Sequence, residues 1–180
     1  MRLFVAIELP DGTKAALTKL PTPLPTARWS KPENMHLTLR FIGEVDENQA
    51  EEIKVALEGV ESPRFDLQLQ GIGHFPPQKK KAPRVLWVGI AGQPALIELQ
   101  QRIEKSLRSV GLVPVKKVFH PHITLARLKV QKPTQQVTNF LQKQAKIALK
   151  PFPVTRFVLI ESVLSSRGPL YTHLAEYALD

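Results

Sequence analysis

His36-Leu37-Thr38-Leu39 and His122-Ile123-Thr124-Leu125 are one pattern, His-x-Thr-Leu, written twice 86 residues apart. In a β-strand, residues i and i+2 point to one face. Each copy therefore aims an imidazole and a hydroxyl one way, while Leu37/Leu39 and Ile123/Leu125 turn to a core. Two such strands facing each other would gather two histidines and two threonines around one cleft. That set suits acid–base chemistry on a phosphodiester with no metal. Histidine titrates near pH 6.5, so one ring can be neutral while the other is protonated. The neutral ring takes a proton from an attacking water, and the protonated one delivers a proton to the departing oxygen. The threonine hydroxyls donate to non-bridging phosphate oxygens. A single His-x-Thr would be weak, since a strand histidine is more often structural. Two copies with the same leucine, each entering an apolar strand, point to His36 and His122 as catalytic.

Outward from these motifs, the chain reads as alternating strands and helices. Residues 2–9 form a buried strand, and Asp11 is placed to cap a helix through Leu20. The stretch 21–33, with four prolines, is a loop into the first motif strand at 35–42. Asp46 and Gln49 give a capping box, ahead of the apolar stripe Ala50, Ile53, Leu57 and Val60. Phe65, Leu67 and Leu69 alternate with polar residues as in a half-buried strand. Residues 71–84 read as a basic loop, and 85–90 as a strand. Leu96, Leu99, Ile103, Leu107 and Val110 mark a long helix closed by Gly111. Residues 115–119 are a candidate strand before the second motif strand, His122 to about Arg127. Thr134 caps a helix through about Lys146. Strands at 156–163 and 171–178 flank a turn at 165–169. No low-complexity linker separates the halves. The element order predicts an α+β internal duplication, with two lobes, each an antiparallel sheet covered by helices.

Other residues carry weaker signals. Arg127 could hold a phosphate in its fork of donors. Strict alternation, however, puts it on the face of Ile123 and Leu125, so it reaches the cleft only if the strand ends, twists or bulges. Arg40 has the parity of His36 and Thr38. His120 and His122 could chelate a metal, but no third ligand is evident and Pro121 separates them, so no metal is expected. His120 is read as a positioning or surface residue, and His74 and His173 as non-catalytic. Lys79, Lys80 and Lys81 read as solvated, and Trp87 and Phe119 as core. One of Phe41, Phe75 and Phe119 could stack a base; the sequence does not choose.

Composition bounds the rest. The 180 residues carry a net charge of +9, which favours polyanionic partners such as nucleic acid. There is no cysteine, so neither a disulfide nor a thiolate nucleophile is available. No apolar run reaches the roughly 18 residues of a membrane span, and residues 1–7 are too short for a signal peptide. A cytoplasmic monomer is expected. There is no phosphate-loop, HExxH or GxSxG motif, and no cofactor is expected.

With both motifs in place, the chain resembles the 2H phosphoesterase superfamily. It is most similar to the branch of RNA 2′,3′-cyclic phosphodiesterases, or 2′-5′ RNA ligases. The likeness rests on MRLFVAIELP, RWSKPENMHLTLRFIGEV, PRVLWVGI, FHPHITLAR and FVLIESVLSSRGPLYTHL. It implies a bilobal, pseudo-twofold fold with both motifs in a central cleft. It implies metal-free opening of a terminal 2′,3′-cyclic phosphate to a 2′-phosphate, on RNA ends such as those of tRNA fragments, with 2′-5′ ligation as the reverse. It implies His36 as acid, His122 as base, Thr38 and Thr124 as phosphate contacts, and Arg127 ahead of Arg40 as the phosphate-holding arginine. The rival expectations are cleavage of 2′-5′ oligonucleotides or small cyclic nucleotides, and a basic RNA-binding protein without turnover.

Overall fold

The computed structural model describes residues 1–24, 26–166 and 168–180. Pro25 of the proline stretch and Arg167 of the turn at 165–169 lie outside the described residues. The element order is β1 (Arg2–Glu8), α1 (Asp11–Thr18), β2 (Ala27–Trp29), a 3-10 turn (Pro32–Asn34), β3 (His36–Glu44), α2 (Glu47–Glu58), β4 (Phe65–Leu67), β5 (Leu69–Phe75), β6 (Val85–Ile90), α3 (Pro94–Ser109), β7 (His122–Leu128), α4 (Gln135–Lys143), β8 (Phe152–Val154), β9 (Arg156–Ser165) and β10 (Gly168–Ala178).

An eight-stranded antiparallel sheet runs through the molecule, and β4 and β8 form a separate two-stranded sheet. One half of the large sheet runs β10-β9-β1-β3; the other runs β7-β6-β5, with β2 also on β7. They join through one register pair, Leu37 on β3 opposite Ile123 on β7. These are the same position of the two motifs. When equivalent residues of antiparallel strands face each other, a local twofold axis passes between them. The α+β duplication expected from element order is thus present.

β1 is apolar on both faces because both are covered. Leu3, Val5 and Ile7 enter the main core, whereas Phe4 and Ala6 join Val158, Ile160 and Tyr171 in a small cluster on the other face. The main core takes the stripes of the helices: Ala50, Ile53 and Leu57 from α2, and Leu96, Leu99, Ile103 and Leu107 from α3. Each such fully buried leucine or isoleucine stabilises by about 1.5–3 kcal/mol. Asp46 caps α2 by accepting from the Gln49 amide, and Thr134 caps α4 by accepting from the Val137 amide; each cap is worth about 1 kcal/mol.

Several local expectations are corrected. α1 begins at Asp11 after Pro10, with no side-chain cap, and ends at Thr18. The alternating run from Phe65 is divided: β4 pairs with β8, a strand not anticipated, while β5 crosses to β6 and reaches Phe75. Residues 115–119 form no strand. Among the described residues, no helix is long and apolar enough to cross a membrane.

Candidate active site

The central register pair builds the site. With Leu37 opposite Ile123, one step along each antiparallel strand sets His36 across from Thr124 and Thr38 across from His122. Side chains alternate faces, so all four residues stand on the face away from the buried Leu37 and Ile123. Of the four, Thr38 and His122 line a large cavity beside this junction.

Both imidazoles are held the same way. His122 Nδ1 lies 2.7 Å from the carbonyl oxygen of His120. A carbonyl only accepts, so Nδ1 carries the proton and Nε2 is left for the cleft. His36 makes the matching backbone bond to Asn34, again two residues upstream. Each ring rests on an aromatic wall. Phe4 stacks on His36 at 4.7 Å, and Tyr171 meets its edge at 5.3 Å. Phe75 meets the edge of His122 at 5.0 Å, with Trp87 at 6.3 Å.

These walls set the protonation states. Burial pushes the His36 imidazole down from 6.5 to about 4, helped by the charges of Lys14 and His122 and opposed by the Asn34 bond. Burial also lowers His122, with the same sense from His120 and the opposite sense from its backbone bond. Both rings are therefore neutral at pH 7 in the free protein. Tyr171 is raised by burial, against the nearby charges of Arg127 and Arg2.

Two bulges decide which arginine reaches the cleft. On β7, Trp87 faces Thr124 while Leu86 faces Ala126, so Leu125 is an extra residue. Its carbonyl accepts from the Ser30 amide at 2.7 Å. Beyond the bulge the parity inverts, and Arg127, opposite Val85, shares the face of Thr124 and His122. On β3, Ala6 faces Thr38 while Val5 faces Arg40, so Leu39 is the extra residue. There the same inversion sends Arg40 to the core face. Its Nη1 bonds Glu104 Oε1 at 3.0 Å and Oε2 at 3.1 Å, and its Nη2 bonds the Val113 carbonyl at 2.6 Å. Arg40 is a buried structural anchor, not a phosphate-holding residue.

Sequence reading missed three residues here. Arg28 on β2 lies directly opposite Arg127. Like charges across a strand pair repel, and an anion between them would relieve that. Phe4, opposite Phe41 on β3, stacks on His36, whereas the register counterpart of Trp87 (opposite Thr124) is Ala6 (opposite Thr38). Tyr171 carries no local pattern and arrives only through strand pairing. Trp87 and Phe119, read as core, are half-buried, and Phe119 lines the cavity beside His120 and His122. His173, read as non-catalytic, lies 3.2 Å from Glu8 Oε1 through Nε2.

Comparison with known proteins agrees with this geometry. The sequence model of the LigT-like phosphoesterases matches twice, over residues 7–87 and 88–171, one match per repeat. An Aeropyrum pernix RNA 2′,3′-cyclic phosphodiesterase is 39% identical over 80% of this chain and 81% of its own. An Archaeoglobus fulgidus protein of the same name is 31% identical over 97% of this chain and 98% of its own. Among solved structures, a Thermus thermophilus protein superposes with a TM-score of 0.80, at 28% identity, covering 99% of this chain and 97% of its own. Escherichia coli LigT complexed with 3′-AMP does so with a TM-score of 0.77, at 28% identity, covering 99% of this chain and 97% of its own. The chain belongs to the LigT-like phosphoesterase family, within the 2H phosphoesterases.

Proposed function

We propose that this protein opens the 2′,3′-cyclic phosphate at the end of an RNA strand, leaving a 2′-phosphate and a free 3′-hydroxyl. The observation that carries the reading is the Leu37–Ile123 pair, which turns two His-x-Thr motifs toward one cleft. The curated relatives are named for the opening of such a phosphate.

The steps follow from the geometry. The phosphate sits between the two motifs, with Thr38 and Thr124 donating to its non-bridging oxygens. Arg127, with Arg28 opposite, adds fixed positive charge on the same face. His122 Nε2 takes a proton from water as the water oxygen bonds to phosphorus. The bond from phosphorus to O3′ breaks, and His36 gives a proton to O3′. His36 is neutral in the free protein, so it gains that proton as the anionic phosphodiester binds. The two histidines supply both acid and base, so the steps call for no metal or cofactor. With a 5′-hydroxyl in place of water, the same site forms a 2′-5′ link, since the strained ring stores the needed energy; in water, hydrolysis dominates. The same reading puts a monomer in the cytoplasm, acting on RNA ends such as those of tRNA fragments.

The test uses an RNA oligonucleotide ending in a 2′,3′-cyclic phosphate, in excess EDTA, with products followed by chromatography and phosphorus NMR. A 2′-phosphate supports the proposal. A 3′-phosphate reverses the leaving group and, with it, the roles of His36 and His122. Absence of product overturns the activity.

A further inference from the structure

The twofold relation that pairs the motifs breaks down beside them. On one side β2 pairs with β7 through Ala27, Arg28 and Trp29. The sequence counterpart of these residues, at the spacing of the motifs, is 113–115, which by symmetry would pair with β3. Residues 113–115 form no strand. The Val113 carbonyl instead accepts from Arg40.

The space left open is a cavity of about 1030 Å³. It begins at Thr38 and His122 and extends to α3. Its size is at the top of the roughly 300–1,000 Å³ that single-ligand pockets occupy, so it offers room beyond one terminal nucleotide. Its walls suit a polyanion with flat rings. Lys105 and Arg108 enter from the polar side of α3, and Lys117 from the loop preceding β7. None of the three is in an ion pair among the described residues. The lining carboxylate, Glu104, is already taken by Arg40. Phe41, 49% exposed, and the half-buried Phe75 and Phe119 supply aromatic surface.

We propose that this cavity is a second binding site, which takes the nucleotides immediately 5′ of the cyclic phosphate. Their phosphates meet Lys105, Arg108 and Lys117, and their bases stack on Phe41 and Phe119. The site rests on the cyclic-phosphodiesterase reading, which places the 3′ end of the strand at the histidines. It makes the enzyme selective for a strand over a mononucleotide.

The experiment compares a tetranucleotide and a mononucleotide, each ending in a 2′,3′-cyclic phosphate. The proteins are the wild type and the Lys105→Gln/Arg108→Gln double variant, whose changes lie on exposed helix positions. The wild type is expected to favour the tetranucleotide by about tenfold in kcat/KM, through KM. In the double variant that ratio falls to near one. The dependence of the tetranucleotide KM on salt also flattens, by about 0.7 in log–log slope for each phosphate no longer neutralised. Equal use of both substrates by the wild type, or an unchanged ratio in the variant, would overturn the site. If neither substrate is turned over, the cyclic-phosphodiesterase reading fails and the cavity is judged separately, by fluorescence anisotropy of a 5′-fluorescein tetranucleotide. Weaker binding by the double variant then supports it, and equal binding overturns it.

Discussion

Leu37 and Ile123, the second residues of the two motifs, are direct register partners where the two halves of the large sheet join. Both are fully buried. This one pair places the approximate twofold axis and turns each histidine toward the other motif's threonine. The chemistry of the cleft depends on that symmetry, and the open cavity beside it on where the symmetry fails.

The first consequence is a pH profile. The value of kcat/KM reports the free enzyme, where His36 titrates near 4 and His122 below 6.5. Turnover needs one ring protonated and one neutral. The kcat/KM optimum is therefore expected below pH 6.5, with a fall toward alkaline pH. The bound phosphodiester anion favours the imidazolium, so the kcat profile lies at higher pH. A kcat/KM optimum above pH 7 would contradict the burial of the histidines.

The same burial makes the fold sensitive to acid. His36 binds a proton near 6.5 when unfolded and near 4 when folded. The unfolded state thus gains protons first, and stability is lost as pH falls from 6.5 to 4, by roughly 3 kcal/mol in total. Urea titrations of wild type and His36→Gln at pH 7 and pH 4.5 check this. The variant is expected to lose less stability than the wild type over that interval; equal losses would show that His36 titrates normally.

Arg40 and Arg127 are predicted to fail in opposite ways. Arg40→Ala leaves Glu104 unpaired in a largely buried setting and is expected to cost about 3–5 kcal/mol. Arg127→Gln removes a cleft cation and its repulsion with Arg28, so it is expected to melt no lower than wild type while lowering kcat/KM about tenfold, as loss of one charge-assisted bond to phosphate would. Arg28→Gln relieves the like-charge pair, so it should melt slightly higher than wild type and still lose activity. Thermal melts beside steady-state rates distinguish the three. Full activity in Arg28→Gln would remove Arg28 from the phosphate site.

Gly73 on β5 tests the aromatic wall. A Cβ there would overlap the Trp87 ring, and Trp87 backs His120 and His122. Gly73→Ala is expected to cost about 1–3 kcal/mol from overpacking. It should also lower kcat through the displaced ring, with KM less affected. A stability loss with unchanged kcat would show that the wall does not position His122.

Much of this was legible in the sequence, because alternation and helical stripes record burial directly. Leu37, Leu39, Ile123 and Leu125 marked the core faces of the motif strands, and Asp46 and Thr134 marked helix starts. The parity of the arginines was not legible. A bulge is set by how a strand meets its partners, so the inversion at Leu125 is visible only in the pairing with β6, and that at Leu39 only in the pairing with β1. Tyr171 and Arg28 escaped for a related reason, since their places depend on non-local pairing. Residues 115–119, read as a candidate strand, form none and pair with no sheet edge.

The most direct test of the paired motifs is the single-turnover rate on a cyclic-phosphate RNA for His36→Ala, His122→Ala and the double variant. Two histidines acting as one acid–base unit predict losses of about 10²–10⁴-fold for each single variant. They also predict a double variant much less impaired than the product of the two losses. Near wild-type turnover in either single variant would contradict the paired-histidine mechanism.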